Sequence, residues 1–162
     1  MITITSLPPE RWLDFQSLRL EALKSDSAAF GRAYEEEVIY KQELWQKRIG
    51  SVIFAVNDNQ PVGMVGYYFS EMVKNKHVAN IYGMYVNKAF RNQGIGGQLL
   101  SLAITKIKEK NEILKIKLSV NPAQKSAVKL YNKFGFTSIG TSRKEYNDNG
   151  HFSDEMLMEK FL

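Results

Sequence analysis

The chain has 162 residues, 44% hydrophobic and 24% charged, with a formal net charge of +5; that length suits one domain, expected over residues 1–162, and excludes a disordered or fibrous class. Cysteine is absent, which rules out disulfides, thiolate metal sites and a cysteine nucleophile. No apolar run is long enough for a membrane helix, and the basic residues are interleaved with acids rather than blocked, so neither membrane nor nucleic acid is an expected partner.

The N-terminus "MITITSLPPERW" lacks the basic-then-apolar pattern of a secretion signal, and the chain is read as cytoplasmic. Residues 2–6 are β-branched and alternate, giving strand β1; residues 8–26 carry a proline where a helix can start and apolar side chains at Trp12, Phe15, Leu18 and Ala22, giving helix α1. The stretch "SAAFGRAYEEE" is broken by Gly31 and resists assignment, and residues 40–49 read as a second short helix, α2.

Two β-rich runs, 51–57 (β2) and 62–70 (β3), flank "DNQP" and make a hairpin, and a third strand, β4, covers 77–87. After the glycines of "RNQGIGGQLL", Leu100, Ala103, Ile104 and Ile107 share one face of helix α3. Residues 112–120 alternate as strand β5. Residues 121–136 form helix α4, with Pro122 suited to its first turn and Gly135 to its end. The tail closes in a hairpin of β6 (136–146) and β7 (151–162) around the turn signal Asn149–Gly150. The expected fold is α/β (α+β): a mixed, mostly antiparallel central sheet with flanking helices, in which the β4-α3-β5 crossover makes β4 and β5 parallel neighbours.

Three glycines at a helix start invite a question, because glycine inside a helix costs roughly 1 kcal/mol relative to alanine. Neither a Walker A loop nor a dinucleotide fingerprint fits, since both fail at Leu99. What remains is Arg91, Asn92, Gln93, Gly94, Ile95, Gly96 and Gly97 at a strand-to-helix junction. Its amides and positive dipole end are able to hold a pyrophosphate; the glycines equally serve a tight turn and close helix-sheet packing.

The set Arg91, Gln93, Gly94, Gly96 resembles motif A of the GNAT superfamily of N-acetyltransferases, R/Q-x-x-G-x-G/A. The strand "IYGMYVNKAFR" before it resembles that family's fourth strand, and "VNPAQKSAVKLYNKFGF" resembles its motif B, with the element order matching nearly end to end. The resemblance implies a GNAT-like acyl-CoA N-acyltransferase fold, with β4 and β5 splayed at their C-terminal ends and acetyl-CoA as cosubstrate. It implies that pantetheine lies in that gap against the backbone of Met84, Tyr85 and Val86, and that pyrophosphate sits on Gln93 through Gly97. Asn121 would bond the pantetheine carbonyl, and Gln124 and Ala127 would border the cofactor, Gln124 standing where many relatives carry asparagine. Tyr131 matches the tyrosine that points at the CoA sulfur, where a phenol can serve the departing thiolate as general acid.

The reaction implied is direct attack of a primary amine, of a small molecule or a peptide, on the thioester in a ternary complex. A lysine-like amine is neutral about once in two to three thousand molecules at pH 7 and an α-amine about once in ten, so a base matters, yet "ANIYGMYV" carries no carboxylate. Phe30, Tyr34 and Glu36 fall in the region that in relatives walls the acceptor pocket; Glu35, Glu36 and Glu37 are base candidates or a solvated face. No metal is expected. A non-catalytic module that senses CoA is the other reading, and exposed strands such as β6 and β7 are able to pair two copies as a homodimer.

Overall fold

Seven strands form one sheet in the order β1-β2-β3-β4-β5-β7-β6, in a computed structural model that describes residues 1–162. The strands are β1 Ile2–Ser6, β2 Val52–Asn57, β3 Gln60–Phe69, β4 Val78–Val86, β5 Lys115–Val120, β6 Thr137–Asp148 and β7 His151–Phe161. The helices are α1 Trp12–Ser25, α2 Gln42–Ile49, α3 Ile95–Lys108 and α4 Lys125–Lys133, and a single helical turn, Tyr34–Glu37, lies between α1 and α2. Every neighbouring pair is antiparallel except β4 and β5, as the crossover requires.

The sheet separates two cores. Leu99, Leu100, Ala103 and Ile107 of α3 pack on Ile53, Ala55, Val65 and Ile116, with Tyr131 of α4 in the same cluster. On the other face Phe15, Leu18 and Ala22 of α1 join Trp45 and Ile49 of α2 over Val52, Phe54 and Met64. Strand β2 feeds both cores because successive side chains point to opposite faces, and its run without polar residues reflects burial on both sides. Each large side chain so buried contributes roughly 1.5–3 kcal/mol.

Both hairpin turns form as their residues dictate. Asp58 and Asn59 take φ of 46° and 65°, and Asn149 and Gly150 take 50° and 90°, the positive values that two-residue hairpin turns need.

Helix α4 differs from expectation at its start. The side chain of Asn121 accepts the amide of Ala123 at 2.9 Å, and Gln124 N–H donates to the Asn121 carbonyl at 2.9 Å. This local turn outcompetes helix, so Pro122 stands in the turn and α4 begins three residues later than its proline suggested. Its end follows the sequence: Gly135 has φ +84°, and Phe136 N–H donates to the Tyr131 carbonyl at 3.1 Å while Gly135 N–H donates to Asn132, the paired bonds of a left-handed helix stop. Strand β5 is also shorter at its front edge, since Ile113 is buried and Leu114 exposed before the alternation starts.

Candidate active site

Strands β4 and β5 are in register only over Val78–Asn80 and Lys115–Lys117. Beyond that they part, and the cause lies in β4. Its pairing with β3 matches Met64 with Tyr85 and Gly66 with Tyr82, so β4 carries one extra residue there. Gly83, at φ +64°, takes the left-handed conformation that a bulge of this kind requires. Meanwhile β5 stays paired to β7 through Val120. One strand bends away and the other does not.

A cavity of about 450 Å³ fills the opening. Its walls are Ile81–Val86 from β4, Ser119 and Val120 from β5, and Gln124, Ala127, Leu130 and Tyr131 at α4. Arg91, Asn92, Gly94, Ile95 and Gly96 close one end. There Asn92 and Gly94 both have positive φ, 62° and 77°, and the turn they make aims the first amides of α3 outward. Gly94 is the residue that caps α3, so no side chain covers those amides, and a Cβ on it would meet nothing within 4 Å. Open space, free N–H groups and the helix dipole suit an anion such as pyrophosphate. The residues present therefore fit a CoA-type ligand.

Arg91 is held from two sides, donating from Nε to the Val86 carbonyl at 2.8 Å and pairing through Nη2 with Asp26. Asp26 is the only carboxylate on the groove wall. Tyr131 is buried at 5% exposure and lines the groove. Burial pushes its hydroxyl up to about 12. That lies above a thiol near 8.5, so complete proton transfer to a thiolate is uphill, and the hydroxyl is suited to donating a hydrogen bond instead.

Of the residues assigned from sequence, the structure brings Phe30, Met84, Tyr85, Val86, Arg91, Asn92, Gly94, Ile95, Gly96, Gln124, Ala127 and Tyr131 to this one cavity. Others stand elsewhere. Gln93 is exposed beside the groove without lining it. Gly97 faces a shallow surface with Gln98, Ser101 and Lys133. Asn121 donates from Nδ2 to the Ala28 carbonyl at 2.9 Å and accepts from Ala123, so both ends of its amide are engaged and it ties β5 to the loop after α1. Tyr34 stacks under the Lys24 ammonium, 4.1 Å from its ring centroid, and lines neither cavity. Glu36 accepts the Ala33 amide at 2.7 Å and pairs with Arg32 at 3.2 Å. The Ala33 bond chiefly holds its carboxyl below the usual range. It finishes a helical turn and reaches no site.

A second cavity, of about 830 Å³, adjoins the first. The two share Ala29, Phe30, Ile81, Tyr82, Gly83 and Ser119. Sequence reasoning missed its floor, which is Arg19 and Arg48 holding Glu37. Arg19 donates to both Glu37 oxygens, Nε at 3.0 Å and Nη2 at 2.8 Å, and Arg48 Nη1 adds a third bond at 3.1 Å. Burial acts to raise the Glu37 carboxyl, but the hydrogen bond and charge of Arg19, with those of Arg48, overcome it and hold it below the usual range. Glu37 is thus an anchor and no base. The signal was available: Arg19 falls in the stripe of Phe15, Leu18 and Ala22, where an apolar residue is the rule.

Known proteins share this fold. The sequence profile of the acetyltransferase (GNAT) family matches residues 15–136. The L-amino acid N-acetyltransferase AaaT of Escherichia coli (strain K12) is 26% identical over 122 residues, 72% of this chain and 75% of that protein. An acetyltransferase of the GNAT family from Streptococcus pneumoniae superimposes with a TM-score of 0.88 at 20% identity, covering 100% of both chains. YncA from Salmonella typhimurium, solved with its cofactor acetyl-CoA, gives 0.82 at 14% identity over 100% of this chain and 94% of that one. With the profile spanning most of its length and the same fold in those structures, the chain belongs to the GNAT family of acetyltransferases, acyltransferase enzymes that draw on acetyl-CoA.

Proposed function

We propose that the protein transfers the acetyl group of acetyl-CoA to a primary amine by direct attack in a ternary complex. The observation that carries this reading is the opening between β4 and β5, which runs from the uncapped amides of α3 past Tyr131 and meets the second cavity at Phe30, Ile81–Gly83 and Ser119. Acetyl-CoA supplies an activated acetyl thioester. The α3 amides and Arg91 hold its pyrophosphate, and the unpaired edge of β4 beyond Asn80 offers backbone partners to pantetheine as an added strand would.

The acceptor amine enters from the second cavity, and its nitrogen forms the new C–N bond as the C–S bond breaks. One proton leaves the amine and one is taken up by the CoA sulfur, so the products are an acetamide and the thiol. Tyr131 donates a hydrogen bond to the sulfur as negative charge gathers there, and a backbone N–H near Val86 does the same for the carbonyl oxygen. With no cysteine in the chain, an acetyl-cysteine relay has no residue to use.

Calorimetric titration with acetyl-CoA, against dephospho-CoA and NAD as controls, tests the cofactor. A released-thiol assay over a panel of amines then tests the transfer. Micromolar, acetyl-CoA-selective binding followed by amine-dependent thiol release is expected. Absence of binding would mean that the glycines serve packing alone.

A further inference from the structure

Arg19 Nη1 is the one buried side-chain polar atom in the molecule without a partner. The residue is 4% exposed, and its other two nitrogens are committed to Glu37. Leaving a charged donor buried and unmet is costly, so a partner is called for at that position. The atom lies beside Gly83: a Cβ there would come within 3.4 Å of Nη1 and meet nothing else. Glycine at the bulge therefore sets no side chain of its own against this donor, at a residue that belongs to both cavities.

The surrounding charge is one-sided. Arg19, Arg32, Lys47 and Arg48 line the second cavity, and Glu71 is its only carboxylate. Two guanidinium groups also share the single charge of Glu37, which leaves a net positive floor. A planar guanidinium in such a setting selects a carboxylate.

We infer that the acceptor is a free α-amino acid whose carboxylate is received by Arg19 Nη1; this rests on the acetyltransferase reading above. In an α-amino acid the amine and the carboxylate share one carbon. Seating the carboxylate at Nη1 sets the amine beside Gly83, at the junction with the groove that leads to Tyr131. The same cations disfavour the ammonium form of that amine and so supply the neutral nucleophile without a dedicated base. A peptide N-terminus has an uncharged amide where the carboxylate would be, and its carbonyl gives Nη1 only a neutral acceptor, a weaker partner than a carboxylate.

The test takes the full-length protein through the twenty common L-amino acids and, for the best of them, its carboxamide and its decarboxylated amine. Amidation or decarboxylation is expected to lower kcat/KM by about 100-fold, the scale of a lost charged hydrogen bond in a buried site. Equal or better turnover of the amide overturns the inference while the acetyltransferase reading stands. Calorimetry on CoA-saturated protein with the N-acetyl amino acid and its amide needs no turnover. Carboxylate-dependent binding there without any acetyl transfer sinks the acetyltransferase reading and keeps the pocket; binding indifferent to the carboxylate sinks the pocket. Arg19→Lys retains charge but loses the fork, so the folded variant should lose the carboxylate preference with acetyl-CoA affinity unchanged. If that variant does not fold, the two ligand series decide.

Discussion

The ring of Tyr82 stands where a side chain on Gly66 would have to be: a Cβ on Gly66 would lie 2.4 Å from Tyr82 Cζ. The two residues face each other across β3 and β4, and Tyr82 walls both cavities. Gly66→Ala must therefore push the ring aside. We expect a loss of roughly 1–3 kcal/mol, the usual cost of overpacking, together with a raised acceptor KM and little change in acetyl-CoA affinity. Urea unfolding and steady-state kinetics check the two parts, and an unchanged KM would mean that Tyr82 does not shape the acceptor site.

Replacing Tyr131 with Phe removes one hydrogen bond to a charged sulfur, so kcat should fall about 10- to 100-fold while the acetyl-CoA Kd holds. Because burial raises this phenol from 10.0 to about 12, it stays protonated throughout the ordinary assay range. An alkaline fall in kcat below pH 10 that vanished in Tyr131→Phe would contradict this.

The same shift has a stability consequence of definite sign. The folded phenol titrates higher than the unfolded one, so its contribution is intact below pH 10 and is lost as pH rises toward 12. Denaturation midpoints followed from pH 9 upward should drop in the wild-type protein and drop less in Tyr131→Phe.

Glu37→Gln leaves the buried guanidinium of Arg19 and the half-buried one of Arg48 without their anion. Breaking such a pair costs roughly 3–5 kcal/mol. Since the Glu37 carboxyl lies below 4.5 when folded, its contribution is present above that value and fades as pH falls beneath it. The wild-type protein should therefore lose more stability than Glu37→Gln on acidification below pH 4.5, read by thermal melts.

Arg91→Ala should raise the acetyl-CoA Kd by about 10-fold, roughly 1.4 kcal/mol, and flatten its dependence on salt, because a fixed positive charge leaves the anion site. Titrations at two ionic strengths measure both. An unaltered salt slope would place the pyrophosphate away from this arginine.

Local rules carried most of the fold. Alternation marked β2 and β3, the Asn149–Gly150 turn marked the last hairpin, and Gly135 ended α4 where it should. The groove between β4 and β5 was legible because Gly94, Gly96 and Tyr131, which line it, sit in short, ordered segments. What escaped was decided at long range. Whether Glu37 or Glu36 turns inward depends on Arg19 and Arg48, 18 and 11 residues away, and whether Asn121 faces the groove depends on Ala28, 93 residues away. Arg19 stands in sequence among Phe15, Leu18 and Ala22 of the apolar stripe, but a charge there needs its partner to be seen before it means anything.

The three-pair register of β4 with β5 also gives the sheet a seam. On one side β1 to β4 form a continuous plate; on the other β5, β7 and β6 form a second, joined to the first by those pairs and by the apolar core that Ile116, Leu118 and Met158 share with α3. A molecule lying along the unpaired edges acts as the stitching the strands do not provide. The enzyme's stiffness is then partly on loan from its substrate: amide exchange along Ile81–Val86 and Leu118–Val120 should slow when acetyl-CoA is bound and recover each time CoA departs.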